Sequence, residues 1–405
     1  MSPLPLVPDY IARLLPQVAG KPISAVKREF GLRRVIKLAS NENPDGPPMG
    51  AIAAIEKAAR DVHRYPDAGQ YDLKHALATR HRLTTDEILL GNGSSELIDL
   101  LVRTFVGPDS HVLTSEGTFI AYKMSTEALG RDYRTVPLTA DLGHDLDALV
   151  EALTPETKLV FVANPNNPTG TLLDADALTR FVTAMDAKMG ANPPLLVLDE
   201  AYYEFIDPAL APDTLTLLAN RPRTVLLRTF SKAYGLAGIR CGYALTSNEV
   251  AGHVEKVRSP FNVGSLAQCA AVAALEDDLF LARTAANNQR NRAALASALS
   301  DRGFTVHPSH TNFLLVNLGR EAKPVFDALL ARGIITRPMG VYGMATSLRF
   351  TVGTAEQNRQ LLTAIDAIFG FAPNRWASIE STALWQMAQV VRGKWKRWQP
   401  TRLGA

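Results

Sequence analysis

Three short apolar runs constrain this chain more than any other feature: Leu159, Val160, Phe161 and Val162; Leu195, Leu196, Val197 and Leu198; and Val225, Leu226 and Leu227. None is interrupted by a polar residue, and they give way to Asn164, Asp199 and Arg228 respectively. A strand with one wet face alternates apolar and polar side chains, so an unbroken apolar strand is covered on both faces. Between the first two runs, Leu178, Phe181, Val182 and Met185 recur at helical spacing over residues 174–185. Buried strands alternating with helices predict an α/β fold with a mostly parallel sheet covered on both sides. The polar residues that end the runs then emerge at the carboxyl edge of the sheet, where open α/β sheets bind ligands.

Upstream, Glu87, Ile88, Leu89 and Leu90 lead into Gly91, Asn92, Gly93, Ser94, Ser95 and Glu96, and then into a helical pattern through Ile98, Leu100, Leu101 and Phe105. That reads as strand, tight turn and helix start. Strand signals thin out near residue 275, and a long polar helix pattern passes through Asn287, Arg290 and Arg292. Alternation resumes with a strand over 313–316, a helix over 324–332 and a strand over 347–352. A chain of 405 residues exceeds one usual hydrophobic core. The expected division is an N-terminal arm and part of a small domain (1–40), a large domain (41–275), a small α/β domain (276–370) and a C-terminal extension (371–405).

Composition excludes several classes. With 46% hydrophobic and 20% charged residues the chain is an ordinary globular one. Two cysteines, Cys241 and Cys269, provide neither a disulfide framework nor a metal cluster, and the eight histidines lack ligand spacing, so no metal is expected. No signal-peptide pattern or long apolar span occurs, which fits a cytoplasmic setting. The net charge of +3 is carried by the extension, where Arg375, Arg392, Lys394, Lys396, Arg397 and Arg402 face only Glu380 among all four tryptophans. Leu384, Met387, Ala388 and Val391 lie there at helical spacing, so the plain reading is a short amphipathic helix packed on the body. The sharper alternative is contact with an acidic partner or an anionic membrane surface.

Four motifs carry chemistry. The turn over 91–96 offers free backbone N–H groups and the hydroxyls of Ser94 and Ser95 at a helix start, a setting that suits phosphate but also begins many helices without a ligand. Asn164, Pro165, Asn166, Asn167, Pro168, Thr169 and Gly170 form either a ligand-facing edge or a plain turn. Asp199 ends an apolar strand, where a carboxylate needs a partner unless it merely caps the next helix. Lys232 follows Ser231 and precedes Gly235, Gly238 and Arg240, so it is either a buried amine near cations or a surface lysine in a loop. Arg337 and Arg349, near small-domain strands, suit carboxylate or phosphate, although either could be an ion pair.

As an ordered set these motifs resemble the fold type I pyridoxal phosphate aminotransferases, and within them the histidinol-phosphate aminotransferase family. The most family-like stretches are 37–44, 64–67, 164–170, 199–202, 231–242 and 347–353, and the resemblance spans roughly residues 20 to 370. It implies that Lys232 carries pyridoxal 5'-phosphate covalently, that Asp199 pairs with the pyridine nitrogen, and that Asn167 and Tyr202 hydrogen-bond the phenolic oxygen. It further implies that Phe119 stacks on the ring and that Ser94, Ser95, Ser231 and Arg240 hold the cofactor phosphate. Tyr65 would reach that phosphate from the neighbouring subunit of a homodimer. Arg349 would bind the α-carboxylate of glutamate and, with Arg337, the phosphate of histidinol phosphate. The implied reaction passes the amino group of histidinol phosphate to 2-oxoglutarate, with Lys232 moving the proton.

The chain departs from the family pattern at Gln17, Val18 and Ala19, where the family has a tyrosine that helps to bind substrate phosphate. That departure turns weight toward an aromatic amino acid aminotransferase; a phosphothreonine decarboxylase on the same fold is a further alternative. Regulators on this fold carry a DNA-binding module ahead of the aminotransferase body, and the few residues before the resemblance begins leave no room for one. No nucleic-acid partner is expected.

Overall fold

A seven-stranded sheet organises the computed structural model, which describes residues 6–16 and 20–371. Its strands are β1 (Ile88–Gly91), β2 (His111–Ser115), β3 (Asp132–Val136), β4 (Thr157–Ala163), β5 (Leu195–Asp199), β6 (Thr224–Thr229) and β7 (Gly242–Thr246), in the spatial order β1-β7-β6-β5-β4-β2-β3. Only β7 runs antiparallel to its neighbours. Register brings Ala163, Asp199 and Leu227 side by side at the carboxyl ends of β4, β5 and β6.

The unbroken apolar runs have the predicted cause. Successive strand side chains point to opposite faces, so Val160, Val162, Leu196, Leu198 and Leu226 enter one core while Leu159, Phe161, Leu195, Val197, Val225 and Leu227 enter another. Helix α1 (Ser94–Phe105) covers the second face with Leu97 and Leu101. Helix α2 (Ala175–Met189) covers the first with Phe181 and Met185. The carboxylate of Asp174 starts α2 by accepting a hydrogen bond from the Ala177 amide at 2.7 Å.

Helix α3 (Ser265–Leu275) still packs into the first core, whereas α4 (Asp278–Ser300) carries Leu295 and Leu299 into a separate one. There a four-stranded antiparallel sheet forms from β8 (Thr305–Val306), β9 (Phe313–Asn317), β10 (Arg337–Met339) and β11 (Met344–Thr351), ordered β10-β11-β9-β8. Leu314, Val316, Leu348 and Phe350 pack there with Leu361 and Leu362 of α5 (Ala355–Phe369). The N-terminal part joins this layer: Leu38 lies in the same core, and Ile36–Lys37 pairs with Ile334–Ile335 in parallel. Residues 17–19, and the basic extension from 372 onward with its tryptophans, lie outside the described residues. Among the described residues no helix is long and apolar enough to cross a membrane.

Candidate active site

A cavity of about 530 Å³ opens at the carboxyl ends of β4, β5 and β6, and strands β10 and β11 supply its opposite wall. Ser94, Ser95, Phe119, Asn167, Asp199, Tyr202, Ser231, Lys232, Arg240, Arg337 and Arg349 all line it. Tyr65 does not: it is 83% exposed and stacks on Phe261 with ring centroids 4.7 Å apart. A comparable hollow of about 590 Å³ lies at the amino ends of the same strands, around Thr157, Leu195 and Arg223. The buried polar groups converge at the carboxyl end.

Asp199 is buried at the end of β5. Its Oδ2 accepts a 2.7 Å hydrogen bond from the hydroxyl of Tyr122, and its Oδ1 accepts one from the Ala201 amide at 3.1 Å. Burial raises this carboxyl above the usual range, against the pull of those two donors. A buried carboxylate of this kind is stabilised by a cation brought to it. Tyr122 is itself fully buried and stacks on Phe161 at 4.5 Å. Sequence reading missed it, because a tyrosine three residues beyond Phe119 in a short helix gives no signal of a partner on β5.

Lys232 follows β6, is half-buried, and has no salt bridge among the described residues. Its Nζ donates to the Ser40 carbonyl at 3.1 Å and lies 5.7 Å from the centre of the Tyr202 ring. Burial is the first cause, and the nearby Arg349 and Arg240 the others, that bring its pKa down to about 7 against the opposing pull of Glu42 and Asp199. A lysine so tuned is substantially an unprotonated amine near neutral pH.

The turn between β1 and α1 meets the 231–240 loop. Gly93 is the N-cap at φ 78°, no side chain caps the helix, and the hydroxyls of Ser94 and Ser95 belong to its first turn. The amides of Ser94 and Ser95 thus have no acceptor within the helix. Glu96 fixes the turn by accepting from the Asn92 amide at 2.6 Å and from Asn262 at 2.8 Å. Arg240 reaches over it and donates to the Ser231 hydroxyl at 3.2 Å. A side chain at Gly93 would collide with the Arg240 guanidinium, and one at Gly242 with the backbone of Ser94. Three hydroxyl groups, free amides and a guanidinium together make an anion cradle.

The asparagines of the 164–170 turn divide their labour. Asn164 holds the Leu173 backbone and Asn166 ties Thr118 to Thr169, so both are structural, while Asn167 faces the cavity. Its Oδ1 accepts from Arg349 Nη1. The other terminal nitrogen of Arg349 donates to the Ala39 carbonyl at 2.8 Å, and its buried Nε has no partner among the described residues. The Tyr202 hydroxyl accepts from Asn41 Nδ2 at 2.8 Å and keeps its own proton, with burial the main cause of a pKa pushed up to about 12. Asn41 was visible only as part of a family-like stretch, because its link to Tyr202 spans two packed layers. The floor beside Ala163 is set by His144, whose Nε2 faces the Ala163 carbonyl at 2.9 Å and whose Nδ1 faces Ser115 Oγ at 2.8 Å. Since a carbonyl only accepts, the proton sits on Nε2, and burial lowers the pKa of this imidazole to about 4.

Comparison with known proteins agrees with this arrangement. A family model described as aminotransferase class I and II matches residues 33–365. The histidinol-phosphate aminotransferase of Anaeromyxobacter sp. (strain Fw109-5) is 46% identical over 368 residues, covering 91% of this chain and 100% of that protein. Histidinol-phosphate aminotransferase 2 of Pseudomonas aeruginosa is 43% identical, covering 90% and 98%. The crystal structure of the Sinorhizobium meliloti histidinol-phosphate aminotransferase in complex with pyridoxal-5'-phosphate superposes with a TM-score of 0.83 at 32% identity, over 92% of this chain and all of that one. The chain belongs to the class I and II aminotransferases and, within them, to the histidinol-phosphate aminotransferase family.

Proposed function

We propose that this protein is a pyridoxal phosphate-dependent transaminase that converts histidinol phosphate and 2-oxoglutarate to imidazole acetol phosphate and glutamate. The observation that carries the reading is the convergence, in one cavity, of an amine with its pKa near 7, a buried carboxylate and an anion cradle. These three groups match the aldehyde, the pyridine nitrogen and the phosphate of the cofactor. The relatives' names support the substrate choice.

In this reading the cofactor, when bound, supplies an electron sink for the carbanion formed at the substrate's Cα. The protein's residues do the rest. Asp199, held by Tyr122, keeps the ring nitrogen protonated. Ser94, Ser95, Ser231 and Arg240 anchor the phosphate, Phe119 covers the ring, and Asn167 and Tyr202 hydrogen-bond its phenolic oxygen. Lys232 would hold the aldehyde, and its amine would accept the Cα proton and give it back, for which a pKa near the working pH is the useful value. Arg349 and Arg337 hold the anionic end of each substrate in turn. The reading includes a cytoplasmic homodimer, in which Tyr65, outside its own cavity, reaches the partner's.

An amino-donor panel with 2-oxoglutarate as acceptor tests the assignment. Histidinol phosphate is expected to be the preferred donor. Fast turnover of phenylalanine beside none of histidinol phosphate would replace it with an aromatic aminotransferase.

A further inference from the structure

We propose that Tyr342 determines specificity by donating a hydrogen bond to the distal phosphate of the amino donor, as the third arm of a site whose other two arms are Arg337 and Arg349. The proposal rests on the histidinol phosphate reading above. It starts from the hairpin that carries all three. Arg337 and Arg349 are direct cross-strand partners on β10 and β11, so their side chains leave the same face of the sheet. The connection between the strands is a turn over Gly340–Tyr342, closed by Gly343 at φ 78°. It returns Tyr342 to the same cavity wall, half-buried.

The donors in this corner are unequally committed. Each terminal nitrogen of Arg349 commits one N–H, to Asn167 and to the Ala39 carbonyl, and keeps a second, while its buried Nε has no acceptor among the described residues. The guanidinium of Arg337 has no hydrogen bond or ion pair among the described residues. Two guanidinium groups facing one another repel, and an anion between them removes the repulsion. A planar carboxylate has two oxygens, which two guanidinium groups can satisfy. A phosphate monoester presents three oxygens in a pyramid, so one remains, directed away from the plane of the other two. Tyr342 is a neutral donor near both arginines; burial raises the pKa of its hydroxyl against the pull of the two arginines and of the Ile120 amide, so it keeps the proton to be donated. The geometry therefore separates two anions that share one pocket: glutamate needs the arginines alone, and a phosphorylated donor uses the tyrosine as well.

The test is Tyr342→Phe, assayed with histidinol phosphate, unphosphorylated histidinol and glutamate on one preparation. The expected result is a rise of about ten- to a hundredfold in KM for histidinol phosphate, the effect of losing a hydrogen bond to a charged group. Its kcat is expected to stay within about twofold, as are kcat/KM for histidinol and KM for glutamate. An unchanged KM for histidinol phosphate, or equal losses on all three substrates, would overturn the proposal; equal losses would mark a merely structural tyrosine. The unsubstituted protein is assayed first. If it fails to turn over histidinol phosphate, the functional reading falls and the proposal with it, a result distinct from an active parent with an indifferent variant.

Discussion

The hydroxyl of Tyr122 donates to Oδ2 of Asp199 across 2.7 Å, and both groups are buried. This contact decides how the carboxylate can serve a bound cation. Burial alone drives the carboxyl toward its neutral form, and the tyrosine's hydrogen bond opposes that drive. Tyr122→Phe keeps the ring that stacks on Phe161 and deletes only the donor. A bond to a charged group is worth about 1.5–3 kcal/mol. The variant should fold normally, bind the cofactor more weakly and lose roughly tenfold in kcat. Cofactor titration and steady-state kinetics check this; unaltered cofactor affinity and kcat would show that Asp199 does not depend on Tyr122.

Replacing Lys232 with Ala removes the amine while leaving the cavity wall otherwise complete. Transamination should fall by at least about a thousandfold, with the far-UV circular dichroism spectrum retained and the yellow absorbance of the covalently held cofactor lost. Activity within tenfold of the parent would refute the assignment of this lysine.

The lysine also gives the cofactor-free protein a pH signature. Its pKa is about 7 in the folded state against 10.5 ordinarily. Between those values the unfolded chain holds a proton that the folded one has released, so stability rises with pH across that window. Below pH 7 both states are charged, and the cost of burying the charge is fully present. The difference in denaturation midpoint between the cofactor-free parent and Lys232→Met should therefore grow in the parent's favour from about pH 6 to about pH 9. A difference that stays flat would place the folded pKa near its ordinary value.

Gly242 sits where β7 passes under the turn before α1, and a methyl group there meets the backbone of Ser94. Gly242→Ala should displace the turn and cost about 1–3 kcal/mol of stability, as overpacking does. Because the displaced amides and hydroxyls belong to the anion cradle, cofactor affinity should fall more than the thermal midpoint suggests. Thermal denaturation with and without cofactor compares the two. Equal midpoint losses in both conditions would show that the turn plays no part in holding it.

Much of the fold could be read along the chain because its causes are local. The runs at 159–162, 195–198 and 225–227 are unbroken because alternate residues feed two different cores. Asp174 stops at the start of α2 because its side chain can cap there. The anion cradle was visible as a glycine turn with two serines. Its helix turned out to be capped by Gly93, since the serines lie within the first turn. The roles within 164–170 were not separable from sequence: three asparagines look alike until strand packing ties Asn164 to the Leu173 backbone and Asn166 to Thr118 and Thr169, and leaves Asn167 facing the cavity.

Chain order alone specified the element types, the polar residues at the strand ends, and the lysine, aspartate and arginines that could serve a transaminase. Periodicity and turn chemistry act over a few residues, and those signals survive in one dimension. Tertiary structure decided which of these groups meet. Tyr122 and Asp199 are 77 residues apart, Asn41 and Tyr202 161, and Asn167 and Arg349 182. It also decided the charge state of Lys232, which follows from desolvation in a cavity between two layers and from Arg349 on the far one. Burial and long-range electrostatics depend on what surrounds a group in space, and that environment exists only once the two cores have packed against each other.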